Sequence, residues 1–314
     1  MSFALLLFCH TALDAVSPDI STISMYSQGI AEQARNDGRE TESEFFKNER
    51  INWSKLFETF LYSQEKLVNH PMLSLSSGIT VNNLPQKINI SLPNTQFFNI
   101  EYGFVRIDSA FYLKDLRAYS SEFAFIENNS NVFGLFKRSP ENLYVNNFSF
   151  GFGLNSGLGT KISETSNLEL YFLHSTAFTW TNFDYDNFSD NDFFRTFDEN
   201  YKFGTKGIAS LEARMNKNLF LILGYEHNNI YSGMEYGKFA GSWLIDLILQ
   251  RWIDILDPIF IEKLGYTYPF VRFFYKNSIA IILSEIRNLQ QFYPFSSDYS
   301  LLERRAILKL KFIF

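Results

Sequence analysis

Arg304-Arg305-Ala306-Ile307-Leu308-Lys309-Leu310-Lys311-Phe312-Ile313-Phe314 is the stretch that decides how the rest of the chain is read. In an extended strand successive side chains point to opposite faces. Ala306, Leu308, Leu310, Phe312 and Phe314 therefore share one face, and Arg305, Lys309 and Lys311 share the other. Ile307 and Ile313 are the exceptions, apolar residues on the charged side. Such a strand has one face suited to an apolar medium and one suited to charge or water.

The same two-residue period recurs upstream. Phe148, Phe150, Phe152 and Leu154 alternate with Ser149, Gly151, Gly153 and Asn155. Phe98, Ile100, Tyr102 and Phe104 alternate with Asn99, Glu101 and Gly103. Tyr201, Phe203, Ala209, Leu211 and Ala213 alternate with Lys202, Lys206, Ser210, Glu212 and Arg214. The polar run Met215-Asn216-Lys217-Asn218 then leads into Leu219, Leu221, Leu223 and Tyr225, which is a hairpin by pattern. The face opposite the bulky residues is built from Gly, Ser and charge, which suits a crowded or watery lumen.

Composition narrows the classes. The 314 residues carry a formal charge of -6 and are 46% hydrophobic, ample for a core, so the chain is not a disordered one. Aromatic residues reach 18%, with 35 Phe and 17 Tyr. No run of 18 or more apolar residues occurs, which excludes a bundle of membrane-spanning helices. The acidic balance argues against a nucleic-acid partner, which leaves a basic footprint. One cysteine, Cys9, excludes an internal disulfide framework and a multi-cysteine metal site.

Alternating segments of about 10 residues, joined by polar turns and rich in aromatics, are the pattern of a transmembrane β-barrel. The closing strand, apolar on one face and ending on an aromatic, resembles the terminal strand of Gram-negative outer-membrane β-barrels. That resemblance implies a bacterial outer-membrane location and contact with outer-membrane lipid. It also implies an assembly signal at Leu308, Leu310, Phe312 and Phe314, read by the barrel-assembly machinery. Strands are expected near 72–80, 86–93, 96–107, 121–127, 132–137, 143–155, 167–180, 200–214, 219–233, 266–275, 277–287 and 302–314. The expected fold is thus an all-β membrane barrel of about 12 antiparallel strands over 71–314. Eight strands would use too little of the chain, and sixteen would need more residues than remain.

Three segments stand apart from that pattern. Residues 1–15, with Phe3-Ala4-Leu5-Leu6-Leu7-Phe8-Cys9 ahead of Ala15, resemble a secretory signal peptide. Within 16–70, read as a periplasmic helical segment, Trp53, Leu56, Phe57, Phe60, Leu61, Leu67 and Val68 recur at helical spacing. Between 242 and 264, Trp243, Leu244, Leu247, Ile248, Trp252, Ile255, Ile259 and Phe260 share one helical arc, and Asp246, Gln250 and Asp254 another. This amphipathic helix is expected either at the membrane–water interface or tucked inside the barrel, where it would narrow a pore.

Candidate chemistry is sparse. The segment Glu226-His227-Asn228-Asn229 resembles the His-x-Ser-Asn stretch of outer-membrane phospholipases and lipid A deacylases, in which His and Ser share a strand face. Here Asn229 stands at the nucleophile position and an amide cannot replace a hydroxyl, so His227 is a weak catalytic candidate. His174 and Ser175 are sequence neighbours and point to opposite faces. Asp184, Asp186, Asp190 and Asp192 within the polar-aromatic loop 181–199 lack EF-hand spacing, with Ser189 and Arg195 where Gly and Glu are needed. No nucleotide loop, paired-cysteine site or helical His motif is present, so neither cofactor nor metal is expected.

The expected lumen charges are Glu101, Lys202, Lys206, Glu212, Arg214, Lys309 and Lys311. They either line a water-filled passage for small solutes or pair across it and close it, since both states use the same residues. The first functional expectation is a passive channel for small solutes. The alternatives are a lipid or lipid A hydrolase and a closed structural or surface-interaction barrel.

Overall fold

The structure, a computed structural model, describes residues 69–83, 94–109, 116–131, 144–162, 168–186, 196–197 and 200–314. The expected leader, the helix over 53–68 and the expected strands at 86–93 and 132–137 lie outside them. Eight antiparallel strands close into a barrel in sequence order, β8 pairing with β1. They are β1 (His70–Asn83), β2 (Thr95–Ser109), β3 (Leu116–Ser130), β4 (Tyr144–Lys161), β5 (Glu169–Asp186), β6 (Lys202–Arg214), β7 (Leu219–Tyr231) and β8 (Ser300–Ile313). Closure leaves no edge strand with unpaired backbone groups.

The barrel has eight strands where about 12 were expected. Part of the difference is strand length: β4 and β5 each run for 18 residues, so fewer strands use more chain. The larger part lies between β7 and β8. There 232–299 carries two helices, α1 (Tyr236–Leu264) and α2 (Tyr268–Leu289), and α2 occupies the two expected strands at 266–275 and 277–287. Residues 181–186, read as the start of a loop, continue β5.

Register sorts the side chains as the dyad pattern requires. Outward on β2 and β4 are Phe98, Tyr102, Phe104, Phe148, Phe150, Phe152 and Leu154, all exposed. Inward are Asn99, Glu101, Ser149 and Asn155, all buried. The two exceptions on β8 also face in. Ile307 packs with Phe97 and Ile208, and Ile313 with Met72, Val105 and Tyr119.

The helix signals are local. Gly265 ends α1 at φ 54, a conformation that glycine adopts without a Cβ clash, and its N–H donates to the Ile261 carbonyl. Pro269 stands in the first turn of α2, where a missing N–H is tolerated. The α1 helix runs through Asp257-Pro258 without a break. Neither helix enters the lumen. Phe273 and Phe270 of α2 meet Phe172, and Phe239 and Trp243 of α1 meet Phe178, both outward residues of β5. At the hairpin's tip, Ile261 and Tyr268 cover outward Leu116 and Leu158 of β3 and β4. The helical hairpin therefore lies along the outer wall.

Candidate functional site

The lumen is filled in two tiers. Toward the end that carries Phe314, inward Met72, Val105, Tyr119, Phe123, Tyr171, Leu173 and Phe220 form a continuous apolar cluster. Above it the filling is ionic. Arg305 Nη1 meets Glu226 at 2.8 Å and also binds Glu127, while its Nη2 meets Glu303 at 2.7 Å. Lys206 Nζ bridges the same Glu127 and Glu226 at 2.9 and 3.1 Å. Asn129 and Asn228 donate to the two oxygens of Glu303 at 3.3 and 2.9 Å.

Lower in the wall, Lys309 meets Glu101 at 2.6 Å, and Lys311 meets Glu212 at 2.6 Å while also binding the Tyr119 hydroxyl. The cations lie over aromatic faces as well, Lys206 at 4.4 Å from the Phe125 ring and Arg305 at 4.9 Å from the Phe97 ring. At the end with Phe314, Arg214 pairs with Glu169 at 2.9 Å, and the Tyr171 hydroxyl donates to that carboxylate at 2.6 Å.

These contacts place the expected lumen charges individually. Glu101, Lys206, Glu212, Lys309 and Lys311 are buried, face inward and pair with opposite charge. Arg214 faces inward at the mouth, and half-buried Lys202 stands opposite Thr181 at the other end of its strand. The structure does not bring all seven together as one patch. It centres the network on residues that the sequence list omitted: Glu127, Glu226, Glu303 and Arg305. A signal for them existed. Glu226 is out of phase with Leu221, Leu223 and Tyr225, and Arg305 is in phase with Lys309 and Lys311. Both parities point inward.

His227 lies on the opposite surface of the wall. It faces outward with His174, Thr205, Asn229, Ser300 and Arg304, a polar band on strands whose outward positions are mostly apolar. The hairpin covers this band. Asn229 Nδ2 donates to the Ser284 carbonyl and to Ser300 Oγ, both at 3.1 Å, and Ser284 Oγ donates to Asn229 Oδ1 at 2.6 Å. His174 Nδ1 pairs with Asn277 Oδ1 at 2.9 Å. The His227 ring lies directly over Gly207, where a Cβ would come within 2.3 Å of Nε2.

The arrangement lacks what a His-activated nucleophile needs. His227 Nδ1 finds no protein hydrogen-bond partner among the described residues. Ser284 donates its proton to an amide rather than to an imidazole. Ser232 is held by Gln291 instead. Among the described residues no group of three or more His, Cys, Asp or Glu side chains is arranged to hold a metal ion. Of the four loop aspartates, Asp184 and Asp186 belong to β5, and Asp190 and Asp192 lie outside the described residues.

No protein-family model and no curated protein matches the chain. Among solved structures it is similar to Neisserial surface protein A, at 8% identity over 80% of this chain and 100% of that one, with a TM-score of 0.35. It is also similar to Ail, the attachment invasion locus protein of Yersinia pestis, in complex with the heparin analogue sucrose octasulfate. There the identity is 10% over 78% of this chain and 99% of that one, with a TM-score of 0.31. Ail without that ligand gives 10% identity, 77% and 98% coverage and a TM-score of 0.29.

Proposed function

We propose that this chain is a closed outer-membrane barrel that acts through its surface, not a conduit for solutes. The observation that carries the reading is the buried cluster of Arg305 with Glu127, Glu226 and Glu303, drawn from β8, β3 and β7. It joins opposite parts of the wall across the lumen. An eight-stranded barrel is just wide enough for side chains to fill its interior, and here charges and aromatics do so. The outward belt of exposed Phe, Tyr, Ile and Leu supports a hydrocarbon surround.

Orientation follows from the connections. The turn at 215–218 and the connections over 110–115 and 162–168 leave the end with Phe314, and longer segments leave the other. In outer-membrane barrels short turns are periplasmic and longer loops extracellular. The strand ends at Asn83, Thr95, Ser130, Tyr144, Asp186 and Lys202, together with the start of the helical insertion, then face the outside of the cell, and the barrel acts through that side.

The channel reading draws on the same inward charges, but each of its buried members is paired. The hydrolase reading draws on His227, which the hairpin covers. The test is solute entry into vesicles containing the refolded protein. Swelling in arabinose or glycine at the rate of protein-free vesicles is expected. Swelling that scales with protein content and falls with solute size would overturn the proposal.

A further inference from the structure

The helical hairpin has its polarity turned inside out. Residues that α2 buries include Arg272, Lys276, Asn277, Ser284, Arg287 and Asn288, whereas those that the two helices expose include Ile248, Trp252, Ile255, Phe270, Phe274 and Ile282. A helix pair on a water-facing surface shows the reverse arrangement. The hidden charges are matched within the hairpin. Arg272 binds Asp254 at 2.6 Å and Asp257 at 3.1 Å, Lys276 binds Asp254 at 2.6 Å, and Arg287 binds Asp246 at 3.0 Å.

The wall beneath is complementary. Outward positions on β5 to β8 where the hairpin lies include buried His174, Thr205, His227, Asn229 and Ser300, beside the aromatic contacts at Phe172 and Phe178. Where the barrel has no such cover, outward positions are Phe148, Phe150, Phe152, Leu154, Leu308 and Leu310, and they are exposed. Polar wall meets polar helix, and apolar helix continues apolar wall. A polar band left bare in hydrocarbon would leave its hydrogen-bonding groups unsatisfied.

We infer that the hairpin is an intramembrane part of the wall, with its outer face in contact with the acyl chains of the surrounding bilayer. This rests on the membrane reading proposed above. The dimensions suit it. The 29 residues of α1 and 22 of α2 correspond to about 43 Å and 33 Å, against a hydrocarbon core of about 30 Å. Among the described residues no helix is long and apolar enough to cross a membrane by itself. Here Arg272, Lys276 and Arg287 of α2 pair with Asp246, Asp254 and Asp257 of α1, while Asn277, Ser284 and Glu285 bond to the wall. Exposed Lys263 stands in the last turn of α1, at the hairpin's tip, where its long stem reaches toward the periplasmic headgroups, while exposed Arg251 stands near the middle of the helix.

The test uses the full chain with Cys9→Ser and one introduced cysteine, at Ile248 or Phe274 on the hairpin, Phe152 on the bare wall or Lys217 in the short turn. Each variant carries a bimane label and is refolded in phosphatidylcholine vesicles. The label is quenched either by brominated acyl chains or by aqueous iodide, and far-UV circular dichroism confirms the barrel in each variant. Labels at 248 and 274 are expected to follow 152, with acyl-chain quenching several-fold above that at 217 and little iodide quenching. Acyl quenching at 152 with iodide quenching at 248 and 274 would overturn the inference while leaving the membrane barrel intact. Shielding of 248 and 274 from both quenchers, as a second copy covering the hairpin would produce, would overturn it too. Iodide quenching at 152 itself would remove the membrane reading and this inference together.

Discussion

Arg305 on β8 and Glu127 on β3 bind each other across the lumen, although β1 and β2 separate their strands. Their side chains are 1% and 0% exposed, and the contact ties opposite parts of the wall together. Arg305 also holds Glu226 and Glu303, so one guanidinium contacts all three carboxylates of the buried cluster. Lys206 supplies the second positive charge.

Truncating Arg305 strands these carboxylates. Breaking a buried ion pair from one side costs about 3–5 kcal/mol, because the remaining charge is left without compensation. Arg305→Ala is therefore expected to lower the urea midpoint of the refolded barrel by that amount of stability. Adding Glu127→Gln and Glu226→Gln to it should recover part of the loss. Equal midpoints for wild type and Arg305→Ala would mean that the cluster does not hold the lumen closed.

Asn229 exchanges two hydrogen bonds with the hairpin, both with Ser284. Asn229→Leu removes the acceptor of Ser284 Oγ and a donor to Ser300 Oγ. Leaving such buried groups unpaired costs about 1–3 kcal/mol. The cost should fall on the hairpin and not on the closed barrel, so amide exchange in α2 is expected to accelerate while that in β2 and β3 stays slow. Uniform acceleration across the strands would show that hairpin and barrel open as one unit.

The reading of the sequence succeeded where strands have one apolar face and failed where that logic is inverted. Phe148, Phe150 and Phe152 alternate with small residues, and Arg305, Lys309 and Lys311 alternate with Leu308 and Leu310, so the wall was legible from parity alone. The segment 266–287 misled because its buried residues include Arg272, Lys276, Asn277, Ser284 and Arg287 and form no apolar stripe. Arg272, Lys276 and Arg287 keep helical spacing, but an apolar stripe was the signal sought, and the dense Phe, Tyr and Ile between them mimic a strand. Two of the four surplus strands came from that segment, and the other two, at 86–93 and 132–137, lie outside the described residues.

The candidate site was half legible for a related reason. Parity places a residue inside or outside, which was enough for Glu101, Lys206 and Lys309. Pairing depends on which strands face each other across the lumen, and that is set by closure. Glu127 and Arg305 are 178 residues apart in sequence, and no local pattern connects them.

Deleting Phe314 tests assembly and stability separately. Its backbone N–H donates to the Pro71 carbonyl at 2.9 Å, while its side chain is 67% exposed. Deleting it removes one hydrogen bond and little packing, so refolding in detergent should be nearly unchanged. Loss through an assembly signal would appear only in cells, as a several-fold fall in the outer-membrane fraction. Equal falls in both experiments would assign Phe314 a structural role instead.

The most direct measurement is single-channel recording from the refolded full-length protein in a planar lipid bilayer. A lumen closed by Arg305, Lys206 and their carboxylates predicts a flat trace at both polarities in molar potassium chloride. Reproducible step openings whose amplitude scales with salt concentration would contradict the account, because ions would then be crossing the space these side chains fill.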